Sequence, residues 1–415
     1  MDAASSRGSS SGAASSQLDS LSFALLTSST PLDARFRALF TLKGLASAQS
    51  SLVGAVIEII GKGFADDSAL LKHELAYCLG QIADLRAVST LESVVRDDKQ
   101  DIMVRHEAAE ALGAISSWQS LPLLKEYAQR PGEDISVVET CELAIHKIEW
   151  DHSDEGKKQR AEEAERKKQA TEAGAGGHEA FAPIDPAPPL AAKASLSSGQ
   201  KDAAASSLSS LDPAVYDIVS LRSILTNRDL PLFERYRAMF SLRNAVHACL
   251  RASEQTHVRE IPPQQARAES RLLRQKAEQA VLALAAGLEK GEKSALFRHE
   301  ICFVFGELCH RASIKSMLQV LNDSEEHEMV RHEAAEALGG IAEEVGEDED
   351  GEAASAEPGE DELKSVMHAL KRWANDATAP RVVRESCVVA LDEMAYNNDP
   401  SQFQPMDSAP VATAA

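Results

Sequence analysis

A His-Glu pair occurs four times in this chain at fixed intervals, and any fold must place those four pairs in register. His73-Glu74 and His106-Glu107 stand 33 residues apart, as do His299-Glu300 and His332-Glu333. The second set repeats the first at an offset of 226 residues. A period of about this length marks stacked helical hairpins, which bury their apolar faces only against neighbouring copies. Two such arrays give each half two imidazoles and up to two carboxylates at matching places, which reads as a binuclear metal centre held between two halves of one protein. Two further His-Glu pairs serve as internal controls. His178-Glu179 falls between the arrays, and His327-Glu328 is matched in the first half by Asp101 and Ile102. Tyr77, Glu110, Phe303 and Glu336 occupy the last position where a zincin protease motif would need a second histidine.

The words around the pairs define the repeat. RHEAAEALG stands at Arg105 to Gly113 and again at Arg331 to Gly339, with the relatives KHELAYCLG (Lys72 to Gly80) and RHEICFVFG (Arg298 to Gly306). Apolar residues at helical spacing run through each, and a second amphipathic stretch accompanies them, as in Ala87 to Val95 and Ile314 to Leu321. Outer hairpins lack the pair. Arg35 to Lys43 matches Arg235 to Arg243, with Phe36-Arg37 and Tyr236-Arg237 in its place, and Glu139 to Ile145 matches Glu385 to Leu391. The expected fold is all-α: an α-solenoid of HEAT-like helical hairpins, two four-repeat halves arranged as a pseudo-two-fold dyad. The halves span residues 21–150 and 212–398, with disordered tails at 1–20 and 399–415. Residues 151–211, rich in charge and then in Gly, Ala, Pro and Ser, read as a flexible linker.

Composition narrows the function classes. A net charge of −22 argues against a general nucleic-acid surface, and no apolar run nears the ~18 residues of a membrane span. Part of the charge is local, since Glu343 to Glu362 holds 11 acidic residues and no basic one and reads as a solvated loop. The acidic body that remains suits a basic partner. Six cysteines without a CxxC pair read as reduced thiols of a cytoplasmic protein, with nuclear presence left open and a monomeric state expected.

Adjacent residues on a helix point about 100° apart, so a His and the Glu beside it reach one site only where the helix start faces it or the pair straddles the groove-lining edge. Two histidines and one carboxylate form the facial set that suits non-haem Fe(II). Two such sets across a pseudo-two-fold axis would hold two metals. The plain alternative makes Arg-His-Glu a surface motif of the repeat, which should then mark the outer hairpins too. Glu110 and Glu336 read as hydrogen-bonding or pairing with an arginine of the next repeat, Met103 and Met329 as core, and Gly80, Gly113, Gly306 and Gly339 as close-packing positions.

Four His-Glu motifs on eight HEAT-like hairpins, with RHEAAEALG twice, closely resemble the deoxyhypusine hydroxylase family over about Leu21 to Asp151 and Asp212 to Asn398. The resemblance implies a non-haem di-iron monooxygenase that binds two Fe2+ ions and uses O2 to hydroxylate deoxyhypusine on translation initiation factor 5A, with electrons from an external donor. Carried over, His73, His106, His299 and His332 would ligate iron together with Glu107 and Glu333. Glu74 and Glu300 would either ligate iron or hold the amines of the substrate. The competing reading is a non-catalytic HEAT-repeat adaptor with a structural metal.

Overall fold

The computed structural model describes residues 7–161, 165, 183–190, 212–256, 262–341 and 360–397. Its helices fall into hairpins. The first half comprises α1 (Arg7–Leu26) with α2 (Leu32–Ala48), α3 (Val53–Lys62) with α4 (Ala69–Ile82), α5 (Val88–Arg96) with α6 (Ile102–Ala114), and α7 (Leu121–Ala128) with α8 (Ile135–His152). The second comprises α9 (Ile218–Thr226) with α10 (Leu232–Gln255), α11 (Pro263–Ala285) with α12 (Ala295–Leu308), α13 (Ile314–Asn322) with α14 (Glu328–Ile341), and α15 (Glu360–Asn375) with α16 (Arg381–Asn397). The described residues form no sheet. This is the all-α solenoid that the repeat period predicts.

Local chemistry sets the helix ends. Ser68 and Ser294, one dyad offset apart, cap α4 and α12 by accepting from the backbone N–H of Leu71 and Phe297. Asp101 and His327 cap α6 and α14 in the same way, which explains the unmatched His327. At the far ends Ala83 and Cys309 turn left-handed, with φ of 53° and 45°. The motif arginines have a structural task. Arg35, Arg105, Arg235 and Arg331 each donate Nε to a carbonyl ten residues earlier, on Leu25, Val95, Leu225 and Leu321, and so tie the two helices of a hairpin.

Glycine lets neighbouring inner helices touch. A Cβ added at Gly80 would stand 2.9 Å from the Ala111 Cα, Gly113 and Gly339 approach Ala144 and Ala390 nearly as closely, and Gly306 faces Ala337 at an ordinary contact distance of 3.5 Å. Met103 and Met329 lie in the apolar core as expected. The halves close on each other through matched hydrogen bonds. Ser68 Oγ donates to Glu385 at 2.8 Å, and Ser294 Oγ donates to Glu139 at 2.7 Å. Each bond joins the start of a His-bearing helix in one half to the last helix of the other.

Two segments depart from the expected boundaries. Helix α1 starts at Arg7, inside the region read as a tail, because helical hydrogen bonding extends back through its Ala and Ser residues. The linker is helical as far as residue 161 and packs again at residues 183–190, where prolines stiffen the chain against the folded body. Residues 343–359 of the acidic stretch and residues 399–415 lie outside the described residues. No disulfide joins the six cysteines, all of which are described residues, and no described helix is long and apolar enough to cross a membrane.

The glycine contacts predict opposite outcomes for two alanine substitutions, read by chemical denaturation. Gly80→Ala, forced against Ala111 backbone, should destabilise by about 1–3 kcal/mol. Gly44→Ala, on α2 with nothing within 4 Å of the new carbon, should stabilise by up to about 1 kcal/mol.

Candidate metal centre

The starts of α4, α6, α12 and α14 converge, and all four imidazoles meet there. Ring centroids of His73 lie 5.4 Å from His106, 5.7 Å from His299 and 5.2 Å from His332. His299 lies 5.3 Å from His332 and 5.4 Å from His106. Distances across the halves thus match those within them, so the expected half-sites merge into one cluster. All eight residues of the four pairs are buried. Neither ring nitrogen of His106, His299 or His332 finds a hydrogen-bond partner, an expensive state for buried polar atoms. His73, His106 and His299 present donor atoms close enough together for one ion, as do His299, His332 and Glu333.

Carboxylates complete the cluster symmetrically. His73 Nε2 lies 3.3 Å from Glu107 Oε2, and His299 Nε2 lies 3.2 Å from Glu333 Oε2. Glu74 reaches back to Nδ1 of its own neighbour His73 at 3.0 Å. Burial disfavours charge on His73, but Glu107 and Glu74 outweigh it and hold its pKa well above the ordinary value. Burial and then the neighbouring imidazoles push His106 and His332 well below it. Burial and then surrounding carboxylates raise Glu110, Glu300 and Glu336 well above the usual carboxylate range. The site therefore holds an excess of buried acidic groups that a cation would relieve.

Comparison with known proteins agrees with this geometry. A family description of HEAT repeats matches residues 55–139. A deoxyhypusine hydroxylase from Mycosarcoma maydis is 54% identical over 388 residues, covering 93% of this chain and 97% of that protein. The chain belongs to the deoxyhypusine hydroxylase family. A Drosophila melanogaster deoxyhypusine hydroxylase is 37% identical over 94% of this chain and 95% of its own length. The structure of human deoxyhypusine hydroxylase in complex with glycerol superposes with a TM-score of 0.63 at 37% identity, covering 93% of this chain and 99% of that one.

A cavity of about 290 Å³ opens beside the cluster in this deoxyhypusine hydroxylase family member. His73, Glu74, Glu107, His299, Glu300 and Glu333 line it, with His106 and His332 set behind them. Tyr77 and Phe303, one dyad offset apart, both line it and meet edge-to-face with ring centroids 6.0 Å apart. Glu110 and Glu336 also line it, instead of pairing with arginine as the sequence suggested. Glu336 accepts a hydrogen bond from Ser386 of the next hairpin and comes within 3.6 Å of His332 Nδ1. Their spacing of four residues from His106 and His332 was the available signal, since residues one turn apart share a helix face.

Sequence reading missed one wall altogether. Residues 183–190 form a strap, and Pro183, Ile184, Asp185 and Pro186 line the cavity. The Ile184 N–H donates to Gln81 on α4, and the Leu190 N–H donates to Ser241 on α10. Arg243 grips Asp185 with both guanidinium nitrogens, at 2.6 and 2.7 Å, and also reaches Glu307 at 3.0 Å. Burial and the nearby Asp185 charge raise Glu307 against the pull of Arg243, to about 7.

A raised carboxylate stabilises the fold only while it stays protonated. The Glu307 contribution is fully present below the ordinary value of 4.5 and is lost as pH rises through about 7. Metal-free Glu307→Gln should therefore lose less stability than the parent between pH 4.5 and 7 in denaturant titrations. Equal slopes for the two proteins would contradict this assignment.

Proposed function

We propose that this protein is a deoxyhypusine hydroxylase, an iron- and O2-dependent monooxygenase acting on the deoxyhypusine side chain of translation initiation factor 5A. The observation that carries the reading is the matched pair of Nε2-to-carboxylate contacts, 3.3 Å for His73 and Glu107 and 3.2 Å for His299 and Glu333. Each joins donors from neighbouring repeats at a separation natural for adjacent ligands of one ion, in a site where other imidazole nitrogens lack partners. Nitrogen and carboxylate donors without thiolate fit non-haem iron.

In this reading His73, His106, His299, His332, Glu107 and Glu333 hold two iron ions. Iron supplies activation of O2, chemistry that side chains alone do not provide. Glu74 fixes the orientation of His73 through Nδ1, as outer carboxylates do for ligating histidines. Glu300, its dyad counterpart, serves as ligand or as anchor for a substrate amine. Deoxyhypusine carries two amines on a flexible aliphatic chain, so positive charge must be held and carbon kept dry. Burial and neighbouring carboxylates raise Glu110 and Glu336, and ammonium groups that enter the cavity would relieve that crowding. The Tyr77 and Phe303 rings, in edge-to-face contact, give the aliphatic part an apolar wall. An external donor supplies electrons, and the protein works as a monomer in the cytoplasm.

Elemental analysis of purified protein should find about two irons per chain, and His106→Ala or His332→Ala should lower that content while the helical circular-dichroism spectrum persists. Hydroxylation of deoxyhypusine-bearing factor should fall beyond the 10–100-fold loss typical of an outer-shell change, roughly a hundredfold or more. Absence of iron and of hydroxylation in the parent chain, with folding and partner binding unchanged in the variants, would favour the adaptor reading.

A further inference from the structure

The cavity is less symmetric than the chain that builds it. The pseudo-dyad gives it two equivalent flanks, α2 with α16 and α10 with α8. Phe36 and Phe40 of α2 and Val389 and Glu393 of α16 belong to the lining. Their counterparts Tyr236, Phe240, Leu143 and Lys147 do not. Burial agrees, since Phe40 is 41% exposed and Phe240, at the matching place, is 0% exposed. Glu393 is exposed and Val389 half-buried, whereas Leu143 is buried.

The strap accounts for the difference. Ser241, Arg237 and Arg243 of α10 all hold it, through the Leu190 N–H, the Pro188 carbonyl and the Asp185 carboxylate. The same positions on α2 do other work. Arg37 pairs with Asp33 and with Asp392 of α16, and Lys43 lies over the rings of Phe40 and Tyr77. The linker crosses from one half to the other a single time, so it can cover only one of two equivalent flanks.

We propose that the protein substrate docks on the α2/α16 flank, and that the strap closes the flank related to it by the dyad. A two-fold groove thereby becomes a cavity with one mouth. The occupant is a protein surface presenting a long cationic side chain. Nine carboxylates line the cavity, with no lysine or arginine among the lining residues, so charge favours such a chain. This inference rests on the hydroxylase reading of the same site.

A pair of dyad-related surface positions tests it. Val388 on α16 is 45% exposed, and Glu142, its counterpart on α8, is exposed too. Neither lines the cavity. Val388→Cys and Glu142→Cys, in the full iron-loaded chain, are each coupled to a polyethylene-glycol maleimide, with the parent chain treated alike to correct for native thiols. Labelled V388C should show KM for the deoxyhypusine-bearing protein raised about tenfold or more, and labelled E142C should stay within about twofold of its unlabelled form. Equal losses at both positions, loss at Glu142→Cys alone, or no loss at Val388→Cys would overturn the docking flank. Unlabelled chains unable to hydroxylate that substrate would overturn the functional reading and this inference together.

Discussion

The inner helices meet through glycine-to-alanine contacts, Gly80 on Ala111, Gly113 on Ala144, Gly306 on Ala337 and Gly339 on Ala390. A methyl at Gly80, Gly113 or Gly339 would press on the backbone of the facing alanine, whereas one at Gly306 would just reach ordinary contact with Ala337. With that approach fixed, a histidine on one repeat and a glutamate on the next arrive at contact distance in both halves. The same spacing leaves the imidazoles too deep for water to satisfy and too close to all be charged. The electrostatics of the site follow from backbone packing.

Buried carboxylates outnumber buried cations around the cavity, and the fold tolerates this by different means. Burial and neighbouring carboxylates raise Glu110, Glu300 and Glu336 above the usual carboxylate range. Asp185 and Glu307 share Arg243. On the proposed function, metal ions and a cationic side chain would relieve this crowding of acidic groups.

The repeat lattice made the solenoid, the eight hairpins and the four His-Glu pairs legible before any coordinates. Their signal is doubled internally, at 33 and at 226 residues, so each position checks another. Glu110 and Glu336 were visible but assigned to the wrong neighbours, since one residue's rotation about a helix decides between a cavity and an interface. The strap was not legible. Residues such as Asp185 and Pro186 have no counterpart in the repeat, and their packing depends on Arg243 and Gln81, far away in sequence. Proline-rich chain looks the same whether it hangs in water or lies in a groove.

The matched hydrogen bonds from Ser68 to Glu385 and from Ser294 to Glu139 have an architectural consequence. They make the contact from first half to second equivalent to the contact from second to first. The body is then a closed ring of two similar arcs, and the order in which the arcs follow one another along the polypeptide is not what holds it shut. A circularly permuted chain, with the second arc translated first, would close the same ring around the same histidines. Only the strap, which belongs to a single junction, gives that ring a direction.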